Sequence, residues 1–210
     1  MELDAAIRRR RMVRSFSETP VPDELLARLL AVTARAPAAG NTNGVAWIVL
    51  SGPEQTSLYW QHTTTDAWRR RSRRWPGLSR APVIALSLCS PPAYVLRYSE
   101  PDKASSGLGV TENGGGGEAA WSVPYWFGDA AFATMLVLLT VVDAGLSACF
   151  LGNFRGERQL LEALSVPRSW RLFGAVLIGH PGGDDPRSAS LDRLGPRTAT
   201  IHWGRWGSTR

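Results

Sequence analysis

The spacing of apolar positions changes several times along this chain, and each change marks an element. In "LDAAIRRRR", Leu3 and Ile7 stand four residues apart, which predicts a short helix. "SETPVPDELLARLLAVTARAP" predicts a second. Pro22 and Asp23 open it, Leu25, Leu26, Leu29, Leu30 and Val32 line one side, and the stop comes near Pro37 and Gly40. "AWIVLS" reads as a short strand closed by the turn residues "SGPE", and "APVIALSLC" as a buried strand. "GDAAFATMLVLLTVVDAGLS" is apolar on nearly all sides and predicts a long helix ended by Gly145, with Asp129 at its start and Asp143 at its end. A helix without a polar face belongs at the centre of a core or in a subunit interface. "ACFLGN" then reads as a short strand or turn, "ERQLLEALSVP" as a helix and "RLFGAVLIGHP" as a strand.

Three stretches break this regularity. Trp60, Trp68 and Trp75 punctuate residues 54–80, where "WRRRSRRW" suggests an amphipathic helix and an exposed loop. From "SPPAY" to "GGGGEAAWSVPYW" the chain is rich in Gly, Ser and Pro, the composition of a long mobile excursion, a lid or an insertion. The tail "RTATIHWGRW" is too polar to make a core alone, so it reads as an arm packed elsewhere, with Trp203 and Trp206 in an interface. No internal repeat is present. The order of elements predicts an α+β fold in a single domain, a central sheet flanked by helices.

Composition narrows the class. The chain has 210 residues, 44% of them hydrophobic and 20% charged, which is ordinary for a globular protein with a real core. A formal net charge of +6 and a pI near 10.1 favour anionic partners: phosphates, cofactors, acidic metabolites or nucleic acid. Lys103 is the only lysine, so the positive charge is arginine, the better bidentate ligand for phosphate. Cys89 and Cys149 lie in apolar runs without a CxxC pattern and read as buried, reduced residues. The N-terminus lacks the apolar core of a signal peptide, and the longest apolar stretch, 130–142, is shorter than the roughly 20 residues of a membrane span. The expectation is a cytoplasmic protein without a membrane segment.

The usual catalytic motifs are missing: there is no HExxH, Walker loop, GxSxG, or GxGxxG after a strand. His62, His180 and His202 are scattered without metal-ligand spacing, so no metal is expected. "GGGG" at 114–117 has no lysine and follows no strand, so it reads as a hinge. What remains is "RRRRMVRSF", five arginines in seven positions from Arg8 to Arg14, together with "APAAGNTNG". Small residues let backbone approach a flat ligand, and the amides of Asn41 and Asn43 read donors and acceptors alike. Arginines for a phosphate, small residues for close approach and amides for a ring edge describe a nucleotide-like cofactor. The alternative for Arg8 to Arg11 is a solvated helix face. For "WRRRSRRW", an exposed helix with aromatic anchors is preferred over nucleic-acid contact by Trp stacking and Arg–phosphate pairing.

Five segments in order resemble the nitroreductase family of FMN-dependent homodimeric flavoproteins. They are "RRMVRSFSETPVP", "ARAPAAGNTNGVAWIVL", "GDAAFATMLVLLTVVDAGLSACFLGN", "LLEALSVP…GAVLIGHP" and "IHWGRW". The resemblance implies a nitroreductase-like domain over 1–210, with a long dimer-core helix and a C-terminal arm at about 196–210. An excursion at about 54–128 aligns with nothing, and in this family that region shapes the substrate pocket. The cofactor implied is FMN. Arg10, Arg11 and Met12 would lie along its phosphate and Arg14 at the pyrimidine edge. Pro37, Ala38, Ala39 and Asn41 would contact it from the other subunit, with Asn43 nearby. Leu151 and Gly152 would offer a backbone N–H to the ring nitrogen that accepts hydride. Arg193 or Arg197 would complete the phosphate site. No side chain is expected to act as a general acid or base, because the flavin supplies the chemistry.

Two departures stand out. Met12 replaces the family's common serine, and "NGV" replaces QPW after Asn41. The activity implied is hydride transfer from NAD(P)H to a nitroaromatic, quinone or enone. The alternatives are FMN-dependent oxidation of a peptide or natural product, and a non-catalytic flavin-binding or storage protein.

Overall fold

In a computed structural model, residues 1–71, 76–111, 113–184, 193–195 and 197–208 are described. Four strands form one antiparallel sheet in the order β1-β2-β4-β3, with β1 Val45–Ser51, β2 Val83–Cys89, β3 Ser147–Leu151 and β4 Arg171–Gly179. Val45 faces Cys89 at one end of the β1/β2 ladder, and Ser147 faces Gly179 at the other end of β3/β4. β1 and β3 are therefore the two edges.

Every residue of β2 is buried, as its unbroken apolar run requires of a strand covered on both faces. Alternation divides its side chains. Ile84, Leu86 and Leu88 join Leu50, Leu160, Leu161 and Leu177 in one core, beneath α3 (Gly52–Thr63) and α7 (Glu157–Ala163). Val83 and Ala85 join Val176, Ile178, Leu26, Leu29 and Val137 in the other, beneath α2 (Asp23–Ala31) and α6 (Tyr125–Asp143). The result is three layers with the sheet in the middle.

α6 explains its own apolarity. It is long and apolar enough to cross a membrane by length and composition alone, yet Ala130, Ala133, Val137 and Val141 are fully buried and the helix packs against all four strands. Its end follows the glycine rule. Gly145 adopts φ 76°, its N–H donates to Val142 O at 3.0 Å, and the Leu146 N–H donates to Val141 O at 3.0 Å, closing a Schellman motif. α1 (Leu3–Arg9) packs against α6, and the Met1 ammonium pairs with Asp143 at 2.6 Å.

Several expectations need correction. The "SGPE" turn is instead the start of α3, with Ser51 as N-cap and Pro53 in the first turn, where a missing N–H costs nothing. α2 stops at Ala31, and a 3-10 turn over Val32–Arg35 carries the chain to Pro37. "ACFLGN" contains a true strand. "SPPAY" opens another helix, α5 (Pro91–Tyr98), so the Gly/Ser/Pro-rich stretch begins in regular structure. That stretch is also tied down: the Trp121 indole N–H donates to Leu108 O at 3.1 Å, its ring meets those of Tyr94 and Tyr98 edge-on, and the Gly117 N–H donates to Gly109 O. Of "WRRRSRRW", Trp68 to Arg71 end α4 (Asp66–Arg71), and residues 72–75 lie outside the described residues.

Candidate functional site

The outer edge of β3 is where the opening arginines lead. α1 ends at Arg9, and the chain turns into an extended segment beside the strand. The Val13 N–H donates to Ala148 O at 3.0 Å, and the Phe150 N–H donates to the Met12 sulfur at 3.3 Å. Val13 is buried beneath, while Arg10, Met12 and Arg14 are half-buried and Arg11 is exposed. Arg14 Nη1 donates to the Met12 carbonyl at 3.2 Å, which fixes one side of its guanidinium. Farther on, Ser15 and Phe16 are fully buried, and Asp184 accepts from the Ser15 hydroxyl and from Arg80 (2.6 Å). The Ser15 hydroxyl and then Arg80 hold the Asp184 carboxyl below its ordinary range.

Met12 thus takes a backbone donor that would otherwise lie open along a sheet edge. In an antiparallel strand the outward groups recur every second residue. Ala148 O and the Phe150 N–H face the opening segment, so the next outward donor is the N–H of Gly152. Gly152 is exposed, and no described residue accepts from that N–H. Met12 and Leu151–Gly152 are in this way brought together from opposite ends of the chain.

The second group of expected residues sits elsewhere. Pro37, Ala38, Asn41 and Asn43 line a cavity of about 350 Å³ with Asp129 and Ala133 of α6. Ala39 is half-buried behind them. Gly40 and Asn41 both take left-handed backbone (φ 63° and 56°), which Gly and Asn tolerate best. A Cβ on Gly40 would lie 2.7 Å from the Tyr98 ring, so its small size serves packing against α5. Arg97 Nε donates to Gly40 O at 2.9 Å and its Nη atoms hold Asp102 at 2.7 and 2.8 Å.

Asp129 is the residue that sequence reasoning misplaced. It is not the helix start: α6 begins at Tyr125, and Asp129 lies one turn in, 3% exposed. Its Oδ2 accepts from the Ala39 N–H and from the Tyr94 hydroxyl, both at 2.8 Å. Burial, reinforced by this carboxylate, raises the Tyr94 pKa and keeps the hydroxyl a donor. An acid inside an otherwise apolar helix was the available signal, because a buried carboxylate needs donors from somewhere. Tyr94 and Arg97 gave no signal of their own.

These two groups stand at opposite edges of the sheet, since Thr42–Gly44 lead into β1 and Met12 runs beside β3. Three strand spacings, roughly 14 Å, separate β1 from β3. The structure does not join Pro37–Asn43 to Arg10–Arg14 within one chain. Arg193 and Arg197 are both exposed, and no contact among the described residues joins either to the opening arginines.

The sequence profile of the nitroreductase family matches residues 7–180. The chain belongs to the nitroreductase family. A protein of Archaeoglobus fulgidus named as an NADH dehydrogenase/NAD(P)H nitroreductase is 24% identical over 200 residues, 94% of each chain. Among solved structures, this chain is similar to the enone reductase CLA-ER of gut-bacterial fatty acid saturation, with a TM-score of 0.66 at 16% identity over 94% of this chain and 98% of that one. A nitroreductase from Desulfovibrio desulfuricans, solved in complex with FMN, superposes with a TM-score of 0.61 at 21% identity over 95% and 99%.

The β3 edge has the donor chemistry that a flavin needs. An exposed glycine N–H without an acceptor among the described residues suits a ring nitrogen, and half-buried arginines beside it suit a phosphate or an electron-rich ring edge. Nothing bulky stands against Gly152: even a Cβ there would meet only the Phe154 ring, at 3.5 Å.

Proposed function

We propose that this nitroreductase is an FMN-dependent oxidoreductase that passes hydride from NAD(P)H to an organic acceptor of the nitroaromatic, quinone or enone type. The observation that carries the reading is the Gly152 N–H, which has no acceptor among the described residues and is set beside the segment of half-buried arginines. Bound FMN supplies reversible two-electron chemistry at one ring face. Arg10 and Arg11 would neutralise its phosphate, and Arg193 or Arg197 would close the site. Arg14 would offer a cation to the pyrimidine edge, where positive charge favours an electron-rich ring. The Gly152 N–H would donate to a ring nitrogen of the flavin, and Leu151 holds that turn in the sheet. Met12 supplies no phosphate hydroxyl; it seals the strand edge instead.

The separation of the two groups supports a homodimer. Pro37, Ala38, Ala39, Asn41 and Asn43 of one copy and Arg10–Arg14 of the other complete a site that one chain leaves divided between two sheet edges. Exposed Leu3, Ile7, Phe132 and Met135 give α1 and α6 an apolar outer face for that contact. The test is the visible spectrum of the purified protein, followed by anaerobic addition of NADH or NADPH. A flavin band that bleaches with nucleotide and recovers with an acceptor is expected. A colourless protein that FMN cannot reconstitute defeats the reading. Bound flavin that neither nucleotide reduces points to the reverse reaction on a peptide or natural product, or to flavin storage.

A further inference from the structure

Beyond the turn that carries Gly152 lies a cavity of about 540 Å³, walled by Asn153–Gly156, by α7 and by the approach to β4. Its lining is strongly basic: Arg155, Arg158, Arg168 and Arg171 face a single lining carboxylate, Glu157. One oxygen of that carboxylate is committed, since Glu157 Oε1 accepts from the Leu172 N–H at 3.1 Å. Arg171 pairs with Glu118 at 2.6 Å, and Arg168 reaches Glu162 only at 4.0 Å. Arg155 and Arg158 have no carboxylate partner among the described residues. Two guanidinium groups without a carboxylate partner among the described residues thus line one cavity, the donor chemistry that an anion recruits.

Two further features mark the wall. The half-buried indole of Trp170 forms part of the wall, offering a flat apolar surface beside the cations. Asn153, also in the wall, has one end of its amide committed: Oδ1 accepts from the Tyr59 hydroxyl at 3.1 Å. Burial pushes the Tyr59 pKa up to about 12, so this hydroxyl remains a donor and the amide orientation is set. The other end, Nδ2, is buried with no acceptor among the described residues. A volume of this size falls in the range of small-molecule sites.

We infer that this cavity binds the anionic group of a redox substrate, a phosphate or carboxylate carried next to a flat ring, with Arg155 and Arg158 as the recognition pair and Trp170 as the stacking wall. The inference rests on the flavin reading above, because the cavity begins one residue after Gly152. Such chemistry has two sources, the phosphates of the nucleotide donor and a carboxylate on the acceptor, and the test separates them.

The holoprotein and its Arg155→Ala/Arg158→Ala variant are titrated calorimetrically, in the oxidised state and at low salt, with 2′,5′-ADP, with 4-nitrobenzoate and with neutral 4-nitrobenzamide. Both arginines are exposed, so the variant retains the fold, and an unchanged flavin spectrum verifies it. Charge-assisted contacts of this kind are each worth about tenfold in affinity, so the variant should lose about 100-fold for the anion that belongs there. Loss confined to 2′,5′-ADP assigns the cavity to the donor, and loss confined to 4-nitrobenzoate assigns it to the acceptor. Failure of the wild type to bind either anion, equal binding by the variant, or an equal loss for neutral 4-nitrobenzamide overturns the inference. Anion binding by a protein that FMN cannot reconstitute overturns the flavin reading and, with it, the assignment to a redox substrate.

Discussion

The turn at Pro37–Asn43 and the Met12–Gly152 edge are held in place by opposite means. Around the turn the tethers are polar and buried: Asp129 accepts from Ala39 and Tyr94, and Arg97 donates to Gly40. Along the edge, a strand carbonyl accepts from Val13 and a strand N–H donates to the Met12 sulfur, with Met12 wedged between both cores. A polar tether inside a protein is costly to break because its partners are left unsatisfied. A strand edge is cheaper to disturb but presents donors outward. The turn is therefore built to keep its shape and the edge to offer groups, which suits their proposed roles as a cover and as an anchor for one flavin.

The largest effect should come from the turn. Asp129→Ala leaves the Tyr94 hydroxyl and the Ala39 N–H buried without an acceptor, and should cost about 3 kcal/mol of stability in urea unfolding. If the loss is below about 1 kcal/mol, the carboxylate is not the tether described here. At the edge, Arg14→Ala should weaken FMN binding about tenfold or lower the flavin potential, while Arg8→Ala does neither. Among the described residues Arg8 pairs only with Asp4, both on the surface, so equal effects in a flavin titration would mean that the arginines have been assigned in the wrong order.

Met12→Ser probes the edge more finely. It restores the hydroxyl usual in the family while removing a thioether that packs against both cores, so Tm should fall by a few degrees, corresponding to about 1 kcal/mol, as FMN binding tightens. Weaker FMN binding would show that the sulfur, by sealing the Phe150 N–H, matters more than the hydroxyl. The smallest effect is electrostatic. The Asp184 carboxyl titrates lower in the folded than in the unfolded chain, so its stabilisation is complete above roughly pH 4 and is lost as the pH falls through the folded value. Acid unfolding of wild type and Asp184→Asn should differ at neutral pH and converge in stronger acid. A gap that widens on acidification would contradict the sign of that shift.

Legibility from sequence followed the range of the interaction involved. Local patterns were readable: Leu26 and Leu29 are the buried stripe of α2, Gly145 ends α6, and Cys89 and Cys149 are buried free thiols. Mistakes fell where tertiary contact decides. Ser51–Glu54 holds turn residues, but the same residues start helices well, and packing of α3 against α7 selects the helix. The Gly/Ser/Pro-rich stretch reads as mobile by composition, yet the aromatic contacts of Trp121 hold it. Asp129 has an identity that fits a helix start, and only the burial of α6 turns it into an internal acceptor.

By itself the sequence determined the family, the order of helices and strands and the apolar faces that bury them, because those depend on period, capping and residue size within a few positions. Tertiary structure alone decided that Met12 lies beside Phe150, that Asp129 reaches Ala39 and that the turn and the arginines occupy opposite sheet edges. These are contacts between residues about 90 to 140 positions apart. No local pattern encodes such pairings, since they arise from how three layers stack and from which backbone groups a sheet edge leaves open.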